Sequence, residues 1–153
     1  MRSEFRIPHD HNAVMALTPI LRQSNALEAA WAFMLVQKVL NDSVFILPDA
    51  GADVDRVVRF FLDTGHADAL VLLPTAQWRN ATLLAAVDLL IFVPQIGLGA
   101  ECTEIVRQVP TPLLLSDVLA LHHLFSARDN CYWCKPNDPK DAARVMLRVL
   151  EEM

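Results

Sequence analysis

A chain of 153 residues is the size of one domain and long enough to bury a sizeable core. Apolar residues make up 54% against 20% charged, and the net charge of −5 comes with no Lys/Arg run, which argues against a nucleic-acid partner or a basic membrane patch. The N-terminal MRSEFRIPHDHN has no apolar core of the leader kind, no apolar stretch reaches the ~18–20 residues of a spanning helix, and three cysteines support no disulfide framework, so a cytoplasmic setting is expected.

Residues 1–12 are polar and read as a tail or linker ahead of a single domain over 13–153. His9-Asp10-His11 offers imidazoles to a metal, but further ligands are lacking nearby and a solvated tail is expected. Ala13–Leu17 reads as a first strand closed by Thr18-Pro19. Ser24 or Asn25 then caps a helix in which Glu28 takes the capping-box position, with Leu27, Ala30, Trp31, Met34 and Leu35 on one face, so Trp31 and Met34 are expected in the core. Ser43–Leu47 is a second strand ended by Pro48, and Asp53 caps a helix carrying Val54, Val57, Val58 and Phe61, which Gly65 terminates. Ala69–Leu73 is a third apolar run, and a polar stretch around Gln77-Trp78-Arg79-Asn80 leads into a short helix reaching Asp88.

Leu89–Val93, an uninterrupted apolar run between Asp88 and Pro94, reads as a strand buried on both faces. Gly97-Leu98-Gly99 follows, and then a helical segment with Glu101 and Glu104. In a parallel sheet, ligands bind where a strand's carboxyl end passes into a helix; glycines there allow close backbone approach and the helix N–H groups favour an anion. An ordinary strand–turn–helix, with Gly used only for the turn, fits the same residues. Pro112–Leu115 is a fifth strand, Val118–Phe125 a short helix and Cys131–Cys134 a sixth strand. Asp138-Pro139 opens a last helix that turns Ala142, Val145, Met146, Val149 and Leu150 inward. Strand–helix alternation with unbroken apolar strands predicts a doubly wound parallel sheet of about six strands with helices on both faces.

The second half resembles the carboxyl-terminal, nucleotide-sugar-binding domain of GT-B glycosyltransferases, especially glycosyltransferase family 4. The residues that carry the resemblance are Ile96-Gly97-Leu98-Gly99-Ala100, Glu104, Val109-Pro110-Thr111-Pro112 before Leu113–Leu115, Ser116-Asp117, Asp129-Asn130-Cys131 and Pro136-Asn137-Asp138-Pro139. They keep the family's order and spacing over about seventy residues, with weaker similarity back to Ala13. The resemblance implies a Rossmann-like domain, one half of a GT-B fold, that takes a nucleotide-diphosphate sugar as substrate without a metal or other cofactor. Glu104 matches the family's second Glu, which accepts hydrogen bonds from the ribose hydroxyls, as a carboxylate can from a vicinal diol. A solvent-facing acid stabilised by the helix dipole is the other reading of that position. Gly97, Leu98 and Gly99 match the loop whose amides face the diphosphate.

The chain also departs from the family. Ile96 stands where the first Glu, a donor-sugar contact, is expected, and of the Arg–Lys pair after the first strand the one candidate cation is Arg22, the family's Arg aligning either with it or with Pro19, with no Lys before Lys38. Losing one charge-assisted contact costs about 1.5–3 kcal/mol. His122-His123 falls where the family has small glycines facing the donor, and is either ligand-facing or a helix-surface pair. Cys131-Tyr132-Trp133-Cys134 is placed too late, on a strand, for a thioredoxin-type motif, and Cys102 does not complete a zinc site. Gly97-Leu98-Gly99 is no dinucleotide fingerprint, since Cys102 takes the third Gly position, and no Asp ends the third strand as in a receiver domain. Two functional classes follow. One is the donor-binding half of a retaining glycosyltransferase, with its acceptor-binding domain elsewhere in the protein or on a partner chain. The other is a non-catalytic module of the same fold that binds a nucleotide, a sugar or protein partners. No catalytic residue is assigned in either case.

Overall fold

The computed structural model describes residues 1–17, 25–49, 51, 53–74, 80–93, 103–125 and 127–153, with the side chains of residues 103–105 outside that description. Six strands, β1 (Asn12–Ala16), β2 (Ser43–Pro48), β3 (Leu70–Leu73), β4 (Leu89–Phe92), β5 (Leu113–Ser116) and β6 (Cys131–Cys134), form one sheet in the order β3-β2-β1-β4-β5-β6. Every neighbouring pair is parallel, with Val14 opposite both Phe45 and Leu89, as the apolar runs predict.

Successive strand residues face opposite sides, so each strand feeds two cores. Val14, Phe45, Leu89, Ile91 and Leu114 point toward α1 (Ala26–Gln37), α2 (Val54–Asp63) and α6 (Pro139–Glu151). Met15, Ile46, Leu90, Leu113 and Leu115 point toward α3 (Ala81–Ala86), α4 (Thr103–Gln108) and α5 (Leu119–Phe125). Two-sided burial is the reason the strands read as continuous apolar runs and not as alternating ones.

The helix ends follow local chemistry. Asp138 accepts the Asp141 N–H at 3.0 Å with Pro139 in the first turn of α6, and all five inward residues expected there are buried. Gly65 adopts φ +76° and closes α2 through Gly65 N–H to Leu62 O at 3.1 Å and His66 N–H to Phe61 O at 2.9 Å. This is the double bond of a Schellman ending.

Four expectations need correction. The segment 1–12 is no free tail: Phe5 and Ile7 are buried, and Arg2 ties them down through Ala86 O, His11 O and the Asp88 carboxylate at 2.7 Å. Asp88 in turn accepts the Ala13 N–H at 2.8 Å, so one acid fastens both the amino terminus and the start of β1. Trp31 is 53% exposed, because α1 lies between the sheet, α2 and α6 and buries most of its circumference. Its small residues Ala26, Ala29, Ala30 and Ala32 make the close contacts, and only a narrow strip including Trp31 is left outside. Asn25 holds the N-cap position in the left-handed region, φ 59°, and its amide turns to the Glu28 carboxylate instead of capping α1. Asp53 sits at the N-cap of α2 but its carboxylate makes no cap bond.

Nothing lies within 4 Å of a Cβ built on Gly65, so only its backbone conformation opposes a side chain. Gly65→Ala is expected to cost about 1–2 kcal/mol in urea unfolding, and Gly65→Asn distinctly less.

Candidate functional site

Strand order reverses between β1 and β4: the chain winds outward through β2 and β3 on one side and through β5 and β6 on the other. Such a reversal parts the following connections and opens a crevice at the carboxyl ends of the two central strands. Residues 18–24 lead from β1 to α1 there, and residues 94–102 lead from β4 to α4. Arg22, Ile96, Gly97, Leu98 and Gly99 belong to these connections and lie outside the described residues. Glu104 is the second residue of α4, and its side chain lies outside them too.

Around this crevice the described residues form two polar groups that the sequence did not disclose. The first follows β5. Asp117 donates its N–H to Cys134 O at 2.7 Å, and its carboxylate meets His122 Nε2 at 2.5 Å. The His122 ring lies flat on Trp133, centroids 3.7 Å apart and planes 14° from parallel. His122 and His123 therefore sit on α5, as a helix-surface pair would, with His122 held from two sides. Register joins the cluster, since Leu115 pairs with Trp133 and Ser116 with Cys134. Ser116 Oγ, fully buried at the end of β5, has no hydrogen-bond partner among the described residues.

The second group lines a groove of about 630 Å³ at the amino ends of α1, α2 and α6, bounded by Asn25, Glu28, Trp31, Asp53, Arg56 and Asn137. Burial is the main cause that pushes the Glu28 carboxyl up to about 7; the Asn25 amide opposes the shift and the nearby Asp138 adds to it. The Asp53 side chain is only 5% exposed and, among the described residues, takes a single long contact, 3.5 Å, from Arg56 Nη1. A buried carboxylate normally gathers more partners than that. Sequence reading missed Asp53 because a capping Asp and a groove-lining Asp look alike in one dimension.

A cavity of about 520 Å³ at the opposite, amino edge of the sheet is structural. Arg107 donates to Leu124 O at 2.7 Å near the end of α5, and Arg128 donates to Val106 O near the end of α4 and to Thr111 O. Arg107, on α4, thus satisfies a carbonyl in the last turn of α5, and Arg128, which follows α5, satisfies one in the last turn of α4. The cysteines of β6 lie on opposite faces of the sheet, Cys131 packed with one core and Cys134 in the other. Burial raises the Cys131 thiol and pushes Cys134 up to about 12, aided by the acids Asp141, Glu28, Asp138 and Asp117. Thiols so disposed cannot bridge and are poor nucleophiles. No cluster of three or more metal-ligating side chains occurs among the described residues, and no helix among them is long and apolar enough to cross a membrane.

No family model matches the chain, and no curated protein matches it in sequence. Solved structures match it in fold, and the fold is one found in glycosyltransferases, six parallel strands with helices on both faces. The chain is similar to the C-terminal domain of LpcC, a glycosyl transferase group 1 family protein from Francisella tularensis, with TM-score 0.78 and 11% identity over 97% of this chain and 80% of that one. It is similar to HepE of Anabaena in complex with UDP-glucose, with TM-score 0.82 and 14% identity over 99% of this chain and 42% of HepE. WaaG, a glycosyltransferase involved in lipopolysaccharide biosynthesis, matches with TM-score 0.82 and 12% identity over 98% of this chain and 40% of WaaG. The chain thus spans about two fifths of HepE and WaaG, and at these identities the likeness is one of fold.

Because folding raises the Glu28 pKa from 4.5 to about 7, the folded state binds the proton more tightly than the unfolded one, and stability falls as pH rises through that window. Glu28→Gln removes the loss. The variant is expected to match the parent near pH 4.5 and exceed it by about 1 kcal/mol above pH 7, the full shift being reduced by solvent screening of a half-exposed carboxyl. Urea unfolding across pH 4.5–8 reads this directly, and a pH-independent difference would refute the assignment.

Proposed function

We propose that this chain is the donor-binding half of a glycosyltransferase that holds the nucleoside-diphosphate part of a sugar donor at the β1/β4 crevice. In this reading the diphosphate lies over the amides of Gly97, Leu98 and Gly99, Glu104 accepts from the ribose hydroxyls, and Arg22 offsets phosphate charge. The observation that carries the reading is the strand order: both connections bearing these residues leave the central strands at the point of reversal, where an open parallel sheet binds its ligands. HepE, with the same fold, is in complex with UDP-glucose. Turnover requires an acceptor-binding domain, because a GT-B enzyme works in the cleft between two domains and this chain matches about two fifths of such proteins.

A second reading, a non-catalytic module of this fold that binds a nucleotide, a sugar or a protein partner, is favoured by Ile96 in place of the sugar-contacting Glu and by the missing Lys beside Arg22. Isothermal titration against UDP, GDP and ADP separates the two. The donor reading predicts one nucleotide bound at ~0.1–1 mM, or about −4 to −5.5 kcal/mol. Glu104→Ala abolishes measurable binding, Arg22→Ala weakens it and flattens its salt dependence, and Ile96→Glu strengthens binding of the nucleotide-sugar alone. Absence of binding at several millimolar leaves the module reading.

A further inference from the structure

We infer that the groove at the amino ends of α1, α2 and α6 is a binding site for a neutral saccharide, separate from the nucleotide crevice and independent of the reading proposed for it. Four observations combine. Trp31 lines this groove with half of its surface exposed, and its ring rests 6.4 Å from that of Phe60, tilted by 37°. An indole face carries partial negative charge and attracts the slightly positive C–H groups of a pyranose ring. Facing it are planar polar groups of the kind that bind vicinal hydroxyls in pairs: the Asn25 amide, the Glu28 carboxyl, the Asp53 carboxylate and the Arg56 guanidinium.

Asp53 supplies the observation that points to a ligand. It is almost fully buried, lines the groove, makes no cap bond and among the described residues pairs only with Arg56, at 3.5 Å, so its carboxylate keeps accepting capacity toward the groove. Two hydroxyl donors of a sugar would fill it. The charge of the groove selects among ligands. Glu28, Asp53 and the adjacent Asp138 oppose a phosphate or carboxylate, Arg56 already pairs with Asp53, and the Trp31 face with the Asn25 amide beside it suits a neutral, hydroxyl-rich molecule. The volume, about 630 Å³, lies within the range of small-ligand sites, with few polar groups and an apolar wall of Leu27, Trp31 and Pro139.

The test follows the indole N–H resonances of the full 153-residue protein by ¹H–¹⁵N NMR, with the Trp31 signal assigned through Trp31→Phe. Maltotriose, cellotriose, chitotriose and mannotriose are titrated in turn. One of them is expected to shift the Trp31 signal saturably with a Kd of ~1–10 mM. Trp31→Ala and Arg56→Ala, both at exposed positions, are expected to keep the folded spectrum and to weaken binding about tenfold or more, read from the remaining shifted amides. UDP at saturating concentration should leave the saccharide shifts in place, whether or not UDP itself binds. The inference is overturned if no trisaccharide moves the Trp31 signal by about 50 mM, if both variants bind like the parent, if UDP competes, or if spermidine shifts the signal and the saccharides do not.

Discussion

Burial of a parallel sheet on both faces is the constraint on which this molecule depends. With β1, β2, β4 and β5 lined by apolar side chains above and below, no polar chemistry fits on the sheet itself. The parallel arrangement then sends every strand-to-helix connection to one edge. Asp117, His122, Trp133, Glu28, Asp53 and Arg56 all gather there, whereas the arginines of the opposite edge are spent on helix carbonyls. Among the described residues, the polar groups left for a ligand therefore gather at the carboxyl edge.

The reversal of strand order divides that edge. Between β1 and β4 lies the point of reversal, and to one side, above the α1–α2–α6 layer, lies the groove of Trp31 and Asp53. That groove disfavours an anion, because Asp53 lines it beside Glu28 and Asp138 stands close to Glu28.

The fold was legible because its strands are short unbroken apolar runs with clear punctuation. Gly65 ends α2 and Asp138-Pro139 opens α6, each for a local reason that the structure repeats. What escaped depended on contacts between distant segments. Periodicity assigns Trp31 to a core face, and only the docking of both α2 and α6 on α1 shows that its side is the one left over. The first twelve residues look polar, and only their packing against α3 and Asp88 reveals Phe5 and Ile7 as core. The stacking of His122 on Trp133 needs the register of β5 against β6, which no spacing in the sequence encodes. The residues proposed for the donor site stood out through the glycine-bearing turn after a buried strand and through family resemblance.

Amide hydrogen exchange with and without saturating UDP addresses the central claim most directly, since it reports on every segment at once, including residues 18–24 and 94–105. Slowed exchange confined to these two segments and the first turn of α4 is the result predicted for a ligand seated at the β1/β4 reversal. Slowed exchange only at the amino edge near Arg107 and Arg128, or no change anywhere with UDP shown to bind, would contradict it.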